Sequence, residues 1–233
     1  CWQPPTRIAD GTYQSDVAMD PQGRLHVVYG SVLDGMGICH VLSEDNGDTW
    51  GPPSCIPHAD TVREEEHEVM PRLAIDSRGF LHVVWELNDH SSLPWLASGR
   101  AVYYARSTDG GESWSNMIAV DEVDSRDKAR KGTHPDWGNV AVDSEDRVHI
   151  VWVGSPDMLR YHQWSNDGGV TWTPRQVAIP SGGYNNWQGM AIDGDGTLYL
   201  VWASLKGLEY TRWDGRGWAP PVSLEGEVGA AHY

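Results

Sequence analysis

The string STDGGESW at residues 107–114 recurs, little altered, as SNDGGVTW at 165–172 and as SEDNGDTW at 43–50. With these strings as anchors, the 233-residue chain falls into four copies of one unit. Each copy opens on an apolar segment ending in Asp: VAMD at 17–20, LAID at 73–76, VAVD at 140–143 and MAID at 190–193. A polar turn follows (PQGR, SRGF, SEDR or GDGT), with the Gly and Asp residues that suit a tight hairpin. A second strand comes next: LHVVY at 25–29, LHVVW at 81–85, VHIVW at 148–152 and LYLVW at 198–202. A third, such as AVYYAR at 101–106 or LRYHQW at 159–164, leads into the repeated string, and a fourth leaves it, such as WGPPSCI at 50–56 or WAPPVSL at 218–224.

Short strands rich in β-branched and aromatic residues, without helical periodicity, predict an all-β protein. The repeat makes it a β-propeller of four-stranded antiparallel blades at 15–56, 70–120, 138–179 and 188–224, one domain or a portion of one over residues 1–233. WQPPTRI at 2–8 matches the fourth-strand pattern, so residues 1–8 read as a stray outer strand of a further blade. Four blades closing on themselves and a piece of a larger ring are both open. Unpaired blade edges favour the piece.

The repeated string, S-x-D-x-G-x-x-W, resembles the Asp-box of the bacterial neuraminidase repeat found in sialidase-like propellers. The resemblance implies a self-bonded turn between third and fourth strands. Its residues would be Ser43, Asp45, Gly47 and Trp50, then Ser107, Asp109, Gly111 and Trp114, then Ser165, Asp167, Gly169 and Trp172. RWDGRGW at 212–218 keeps Asp214 and Trp218 but is one residue shorter and lacks the Ser, so fewer bonds are expected there. In that family the Asp-box lies on the face away from the ligand, so it bears on fold and not on chemistry.

With 33 acidic against 17 basic residues the net charge is -16, which repels nucleic acid and anionic lipid. No apolar run is long enough to cross a membrane as a helix. Cys39 and Cys55 are equidistant from Gly47, so a hairpin would set them opposite each other, either as a disulfide, implying an oxidising compartment, or as two buried thiols. Cys1 suggests a lipid anchor; a boundary of the sequence is the alternative.

Function is expected on the opposite face, at the inter-blade loops 8–16, 56–72, 120–139 and 179–189 and the loops 30–37, 86–101, 154–158 and 204–207. The repeat explains ten of thirteen Trp residues; the remaining Trp95, Trp137 and Trp187 all fall in these loops. They read as stacking platforms for a ligand or as pins for long loops, and Tyr184 and Gln188 lie beside Trp187. Asp16, Arg72 and Asn139, with Gly189 as fourth member, share one position before the first strand and are expected to converge at the axis. The charge runs REEEHE at 63–68 and RDKARK at 126–131 read as solvated faces or as pairing loops. His26, His82 and His149 recur in the second strand, with Tyr199 as the fourth, and read as architecture. No His pair has metal-ligand spacing, so no metal or cofactor is expected.

Sialidase chemistry, as the resemblance implies it, needs three arginines, a Tyr–Glu nucleophile and an Asp acid/base. Arg72 sits suitably; Asp16 and Glu64 to Glu68 offer acids, and Tyr13 or Tyr184 a nucleophile, but two further matching arginines are missing. Arg7 in TRIAD falls in an outer strand. The leading reading is a noncatalytic, extracytoplasmic (secreted or cell-surface) propeller binding glycan or protein. The alternatives are a sialidase-like glycoside hydrolase and a structural subunit of a larger cell-surface assembly.

Overall fold

The computed structural model describes residues 5–31, 37–57, 66–89, 98–123, 135–154, 157, 159–179, 188–204 and 207–224. They form sixteen strands in four antiparallel sheets of four, each in chain order, with no helix among the described residues. The first sheet is Thr12–Met19 (β1), Leu25–Ser31 (β2), Ile38–Ser43 (β3) and Ser54–Cys55 (β4). The second is Glu66–Ile75 (β5), Leu81–Asp89 (β6), Ser98–Ser107 (β7) and Ile118–Glu122 (β8). The third is Asp136–Val142 (β9), Val148–Val153 (β10), Arg160–Ser165 (β11) and Gln176–Ile179 (β12). The fourth is Gln188–Ile192 (β13), Leu198–Ser204 (β14), Gly207–Trp213 (β15) and Val222–Ser223 (β16). Residues 5–8 belong to no strand, in place of the outer strand expected at 1–8.

First strands of successive sheets are neighbours: β1 touches β5, β5 touches β9, and β9 touches β13. Each junction has its own core. Val28, Ile38 and Ile56 pack on Leu73, Val83 and Trp85; Val84, Val102 and Tyr104 on Ile150 and Trp152; Val151 and Ala178 on Leu200, Trp202 and Trp213. Middle strands therefore bury both faces, which is why their sequences are continuous apolar runs.

The recurring polar residues order the hairpin end of each sheet. Asp20, Asp76, Asp143 and Asp193 each accept two backbone N–H bonds from their own turn at 2.8–3.0 Å. The second carboxylate oxygen meets the second-strand ring: His26 Nε2 at 3.3 Å, His82 Nε2 at 3.7 Å, His149 Nε2 at 3.1 Å and Tyr199 Oη at 3.1 Å. A carboxylate there requires the proton on Nε2, leaving Nδ1 as an acceptor. His40 Nε2–H donates to His26 Nδ1 at 2.9 Å, Tyr104 O–H to His82 Nδ1 at 2.8 Å and His162 Nε2–H to His149 Nδ1 at 3.0 Å.

These third-strand rings press on the repeated loop of the next sheet. A Cβ on Gly111 would lie 2.2 Å from His40, and one on Gly169 would lie 1.8 Å from Tyr104 Oη. Both glycines have positive φ, so glycine is required twice over. Trp114, Trp172 and Trp218 meet His40, Tyr104 and His162 edge-on at 4.9–5.8 Å between centroids.

The loops close on themselves. Ser43, Ser107 and Ser165 donate to Asp45, Asp109 and Asp167 at 2.9, 2.6 and 2.7 Å, and each accepts the N–H of Gly47, Gly111 or Gly169 at 2.8 Å. The Thr171 hydroxyl and backbone N–H hold Asp167 well below the usual carboxylate range. The shorter fourth loop has only the Arg216 and Gly217 N–H groups on Asp214, at 3.0 and 3.2 Å. Cys39 and Cys55, opposite each other on β3 and β4, are joined by a disulfide.

Two outcomes are expected. Gly169→Ala should cost about 3 kcal/mol in urea unfolding, since it drives a methyl into Tyr104. Gly47→Ala, whose Cβ meets only ordinary contacts at 3.6 and 3.8 Å, should cost about 1 kcal/mol of backbone strain. Burial, helped by the neighbouring imidazoles, pushes His40 down to about 4 and His162 down to about 3. The unfolded chain takes up these protons near pH 6.5 while the folded one does not. Stability is therefore full above 6.5 and falls as the pH drops towards 4. His40→Tyr installs the ring that the second sheet uses and should remove about 2 kcal/mol of that fall, read from thermal midpoints against pH.

Candidate functional site

The opposite end of the sheets, where first strands begin and second strands finish, holds a different chemistry. Glu66, Glu68, Glu86, Arg100, Asp136 and Arg160 are all buried there. Residues 66–68 are part of β5, so this stretch of the REEEHE run is interior and not a solvated loop: Glu66 pairs with Arg100 at 3.1 Å and Glu68 accepts the Trp85 indole N–H at 2.8 Å. Residues 63–65, including Glu64 and Glu65, and 126–131 lie outside the described residues. The run of like charge hid the burial of Glu66 and Glu68 from the sequence reading.

Asp16, Arg72, Asn139 and Gly189 occupy one rung, opposite Val28, Val84, Val151 and Val201 of their second strands. Two residues earlier each of the first three strands carries a bulge at a non-glycine residue with positive φ: Gln14 at 52°, Met70 at 54° and Trp137 at 57°. Nothing in the sequence announces these residues. Side chains from the preceding sheet hold two of the bulges: Gln14 Oε1 accepts Met70 N–H at 2.9 Å, and Glu86 Oε1 accepts Trp137 N–H at 2.7 Å. Strained backbone fixed from outside in this way marks an end of the molecule built for geometry.

Trp137 is thus half-buried in β9 and not on a loop, because the bulge draws residues 136–139 into the sheet. Gln188 begins β13, where its amide donates to Trp137 O at 2.6 Å and accepts from Arg160 Nε at 3.1 Å. Asp16 accepts Leu73 N–H at 3.0 Å, and Asn139 donates to Trp137 O at 3.3 Å. Arg72 is half-exposed and makes no hydrogen bond or ion pair with the described residues. Trp95, Trp187 and Tyr184 lie outside the described residues, as does Cys1.

Beside Arg72 lies a carboxyl pair. Burial, then the charge of Asp136 and a hydrogen bond with it, pushes Glu86 well above the usual carboxylate range; Arg72 only partly offsets this. Glu86 therefore holds a proton to higher pH than a free carboxyl does, hydrogen-bonded to Asp136, while its Oε1 accepts the Trp137 N–H. A pair of carboxyl groups that holds a proton and a guanidinium with no ion pair among the described residues can together bind an anion.

No protein-family model and no curated protein sequence matches this chain. Solved structures do. A Hadza microbial sialidase matches with a TM-score of 0.64 at 17% identity over 90% of this chain. The intramolecular trans-sialidase from Ruminococcus gnavus, in complex with oseltamivir carboxylate, gives 0.66 at 11% over 92%. An ulvan lyase of polysaccharide lyase family PL25, bound to -[GlcA(1-4)Rha3S]-, gives 0.55 at 12% over 85%. The fold is sialidase-like. The chain spans 46% of the Hadza enzyme, 71% of the trans-sialidase and 51% of the lyase.

The carboxyl pair makes a prediction with a definite sign. Above pH 4.5 the unfolded chain loses the Glu86 proton and the folded chain retains it, so wild-type stability falls as the pH rises through this range. Glu86→Gln preserves both hydrogen bonds without that titration. Its advantage over wild type in urea unfolding should grow as the pH rises above 4.5, by about 1.4 kcal/mol for each pH unit over which the folded chain holds the proton.

Proposed function

We propose that the four sheets are consecutive blades of a sialidase-type β-propeller with Asp-boxes at the hairpin end, and that the opposite end binds an acidic glycan. The observation that carries this reading is Arg72, half-exposed and without a side-chain hydrogen bond or ion pair to the described residues, on a rung shared with Asp16, Asn139 and Gly189. Two other guanidinium groups of the described residues at this end are taken, Arg100 by Glu66 and Glu122 and Arg160 by Gln188 and the Trp202 ring. The structural neighbours lend it chemical sense, since the trans-sialidase is bound to a carboxylate and the lyase to a glucuronate-bearing chain. A single arginine holds a sugar carboxylate through a bidentate pair, without the three-arginine grip that sialidase turnover uses. The role is accordingly binding without turnover by this chain. An extracytoplasmic setting follows from the glycan ligand and the Cys39–Cys55 disulfide.

A second reading, a glycoside hydrolase, rests on the sialidase-like fold and on two carboxyl groups, Glu86 and Asp136, at this end; as a directly hydrogen-bonded pair they stand closer than the about 5–9.5 Å that glycosidic cleavage uses.

Titration with sialyllactose and with a glucuronate oligosaccharide, followed by intrinsic Trp fluorescence, should give saturable binding to one of them, weakened about tenfold or more by Arg72→Ala. Equal affinity of Arg72→Ala and wild type ends the binding reading. Release of fluorophore from a sialoside, lost in Glu86→Gln, would put the hydrolase in its place.

A further inference from the structure

The repeated loops of the first and second sheets leave a cleft between them. Its volume is about 540 Å³, and Leu42, Glu44, Pro52 and Pro53 line it from the first sheet, Gly110 and Glu112 from the second. His40 and Gly111, pressed together, close it on the core side. Both walls belong to sheets of this chain, so the cleft is a property of the junction itself.

The same place is filled at the other two junctions. Leu42 pairs with His26 as Arg106 pairs with His82 and Trp164 with His149, so the three residues share one position. At the second junction Arg106 reaches across, and its Nη1 donates to Gly168 O at 2.8 Å. At the third, the Trp164 ring lies 5.3 Å from that of Trp213 in the next sheet. Leu42 is shorter than either and carries no donor for Gly110 O, the counterpart of Gly168 O. Gly51 opens the place further. Ser115 and Thr173 stand at its position elsewhere, and their hydroxyls accept the N–H of Arg106 and Trp164 at 3.1 and 3.0 Å; Gly51 has no hydroxyl to offer the Leu42 N–H.

Charge changes in step with size. The second junction, which has the Arg106 cation, places Thr108 and Val170 beside it; the first, which lacks that cation, has Glu44 and Glu112 at the same two loop positions, both exposed. Arg24 lies by Gly110 but does not stand in for Arg106: its Nε is paired with Asp20 at 2.7 Å, and Arg78 occupies the matching place by Gly168 in addition to Arg106.

We infer that this cleft binds an arginine side chain presented by a basic peptide segment of a partner protein. The guanidinium donates to Gly110 O as that of Arg106 donates to Gly168 O, between Glu44 and Glu112, and its methylenes lie on Leu42, Pro52 and Pro53. A carbonyl of the same peptide supplies the acceptor that Gly51 lacks for the Leu42 N–H. The net charge of -16 draws a basic segment towards the whole molecule, and the cleft decides where it docks. The cleft is at the hairpin end, so the inference does not depend on what the Arg72 end binds.

Fluorescence anisotropy of a fluorescein-labelled, glycine-rich heptapeptide with one central arginine, titrated with the full chain, should saturate with a Kd between about 10 µM and 1 mM. The same peptide with citrulline, which keeps the shape and loses the charge, should bind about tenfold more weakly or worse. Leu42→Trp fills the cleft with the residue of the third junction and leaves the net charge alone; with its circular dichroism unchanged, it should weaken binding about tenfold or more. Should that variant fail to fold, Glu44→Gln combined with Glu112→Gln alters exposed positions only, and should weaken binding about fivefold and flatten its dependence on salt. Absence of saturation, equal affinity for the citrulline peptide, or wild-type affinity in folded Leu42→Trp or in the double variant each overturns the inference.

Discussion

The structure depends on a contact too tight for any side chain but hydrogen. His40 on Gly111 and Tyr104 on Gly169 set the distance between neighbouring sheets, because nothing at that point can yield except by moving a whole strand. The ring that presses is itself fixed. It donates to an imidazole whose other nitrogen is committed to a turn aspartate, and that aspartate is committed to its own backbone. Position is thus transmitted from hairpin to ring to the next loop through bonds with one proton arrangement, which is why the histidines must be neutral and buried.

The two ends of each sheet solve the same problem, buried carboxylates, in different ways. At the hairpin end, Asp oxygens are met by backbone N–H groups, which do not titrate and cannot swing away. At the other end, Glu66, Glu68 and Glu86 are met by Arg100, Trp85 and Asp136, side chains from different strands or different sheets. That arrangement is costlier to keep dry and easier to perturb, and it coincides with the positive-φ bulges. The end that gives up stability for arrangement is the one that carries Arg72, half-exposed and without an ion pair among the described residues.

Much of the architecture was legible because the residues responsible recur. Asp, the hairpin glycine, the second-strand His and the S-x-D-x-G-x-x-W loop are local devices, so each can be read without knowing its neighbours, and the rung of Asp16, Arg72, Asn139 and Gly189 follows from counting along the strands. The site was less legible because its contacts are nonlocal. Glu86 reads as the polar end of a strand until Asp136, fifty residues on, is brought against it; Trp137 reads as a loop aromatic until a bulge pulls it into β9. The third-strand partners of the histidines escaped for a related reason: His40, Tyr104 and His162 are unlike in sequence and alike only in what they touch.

Stability in such a row of sheets is close to a sum over sheets and junctions. Among the described residues the second and third sheets each have two junctions, the first and fourth one apiece, and the fourth also has the poorest loop, with two bonds accepted by the Asp214 carboxylate where that of Asp167 accepts four. Local opening therefore begins at the outer sheets.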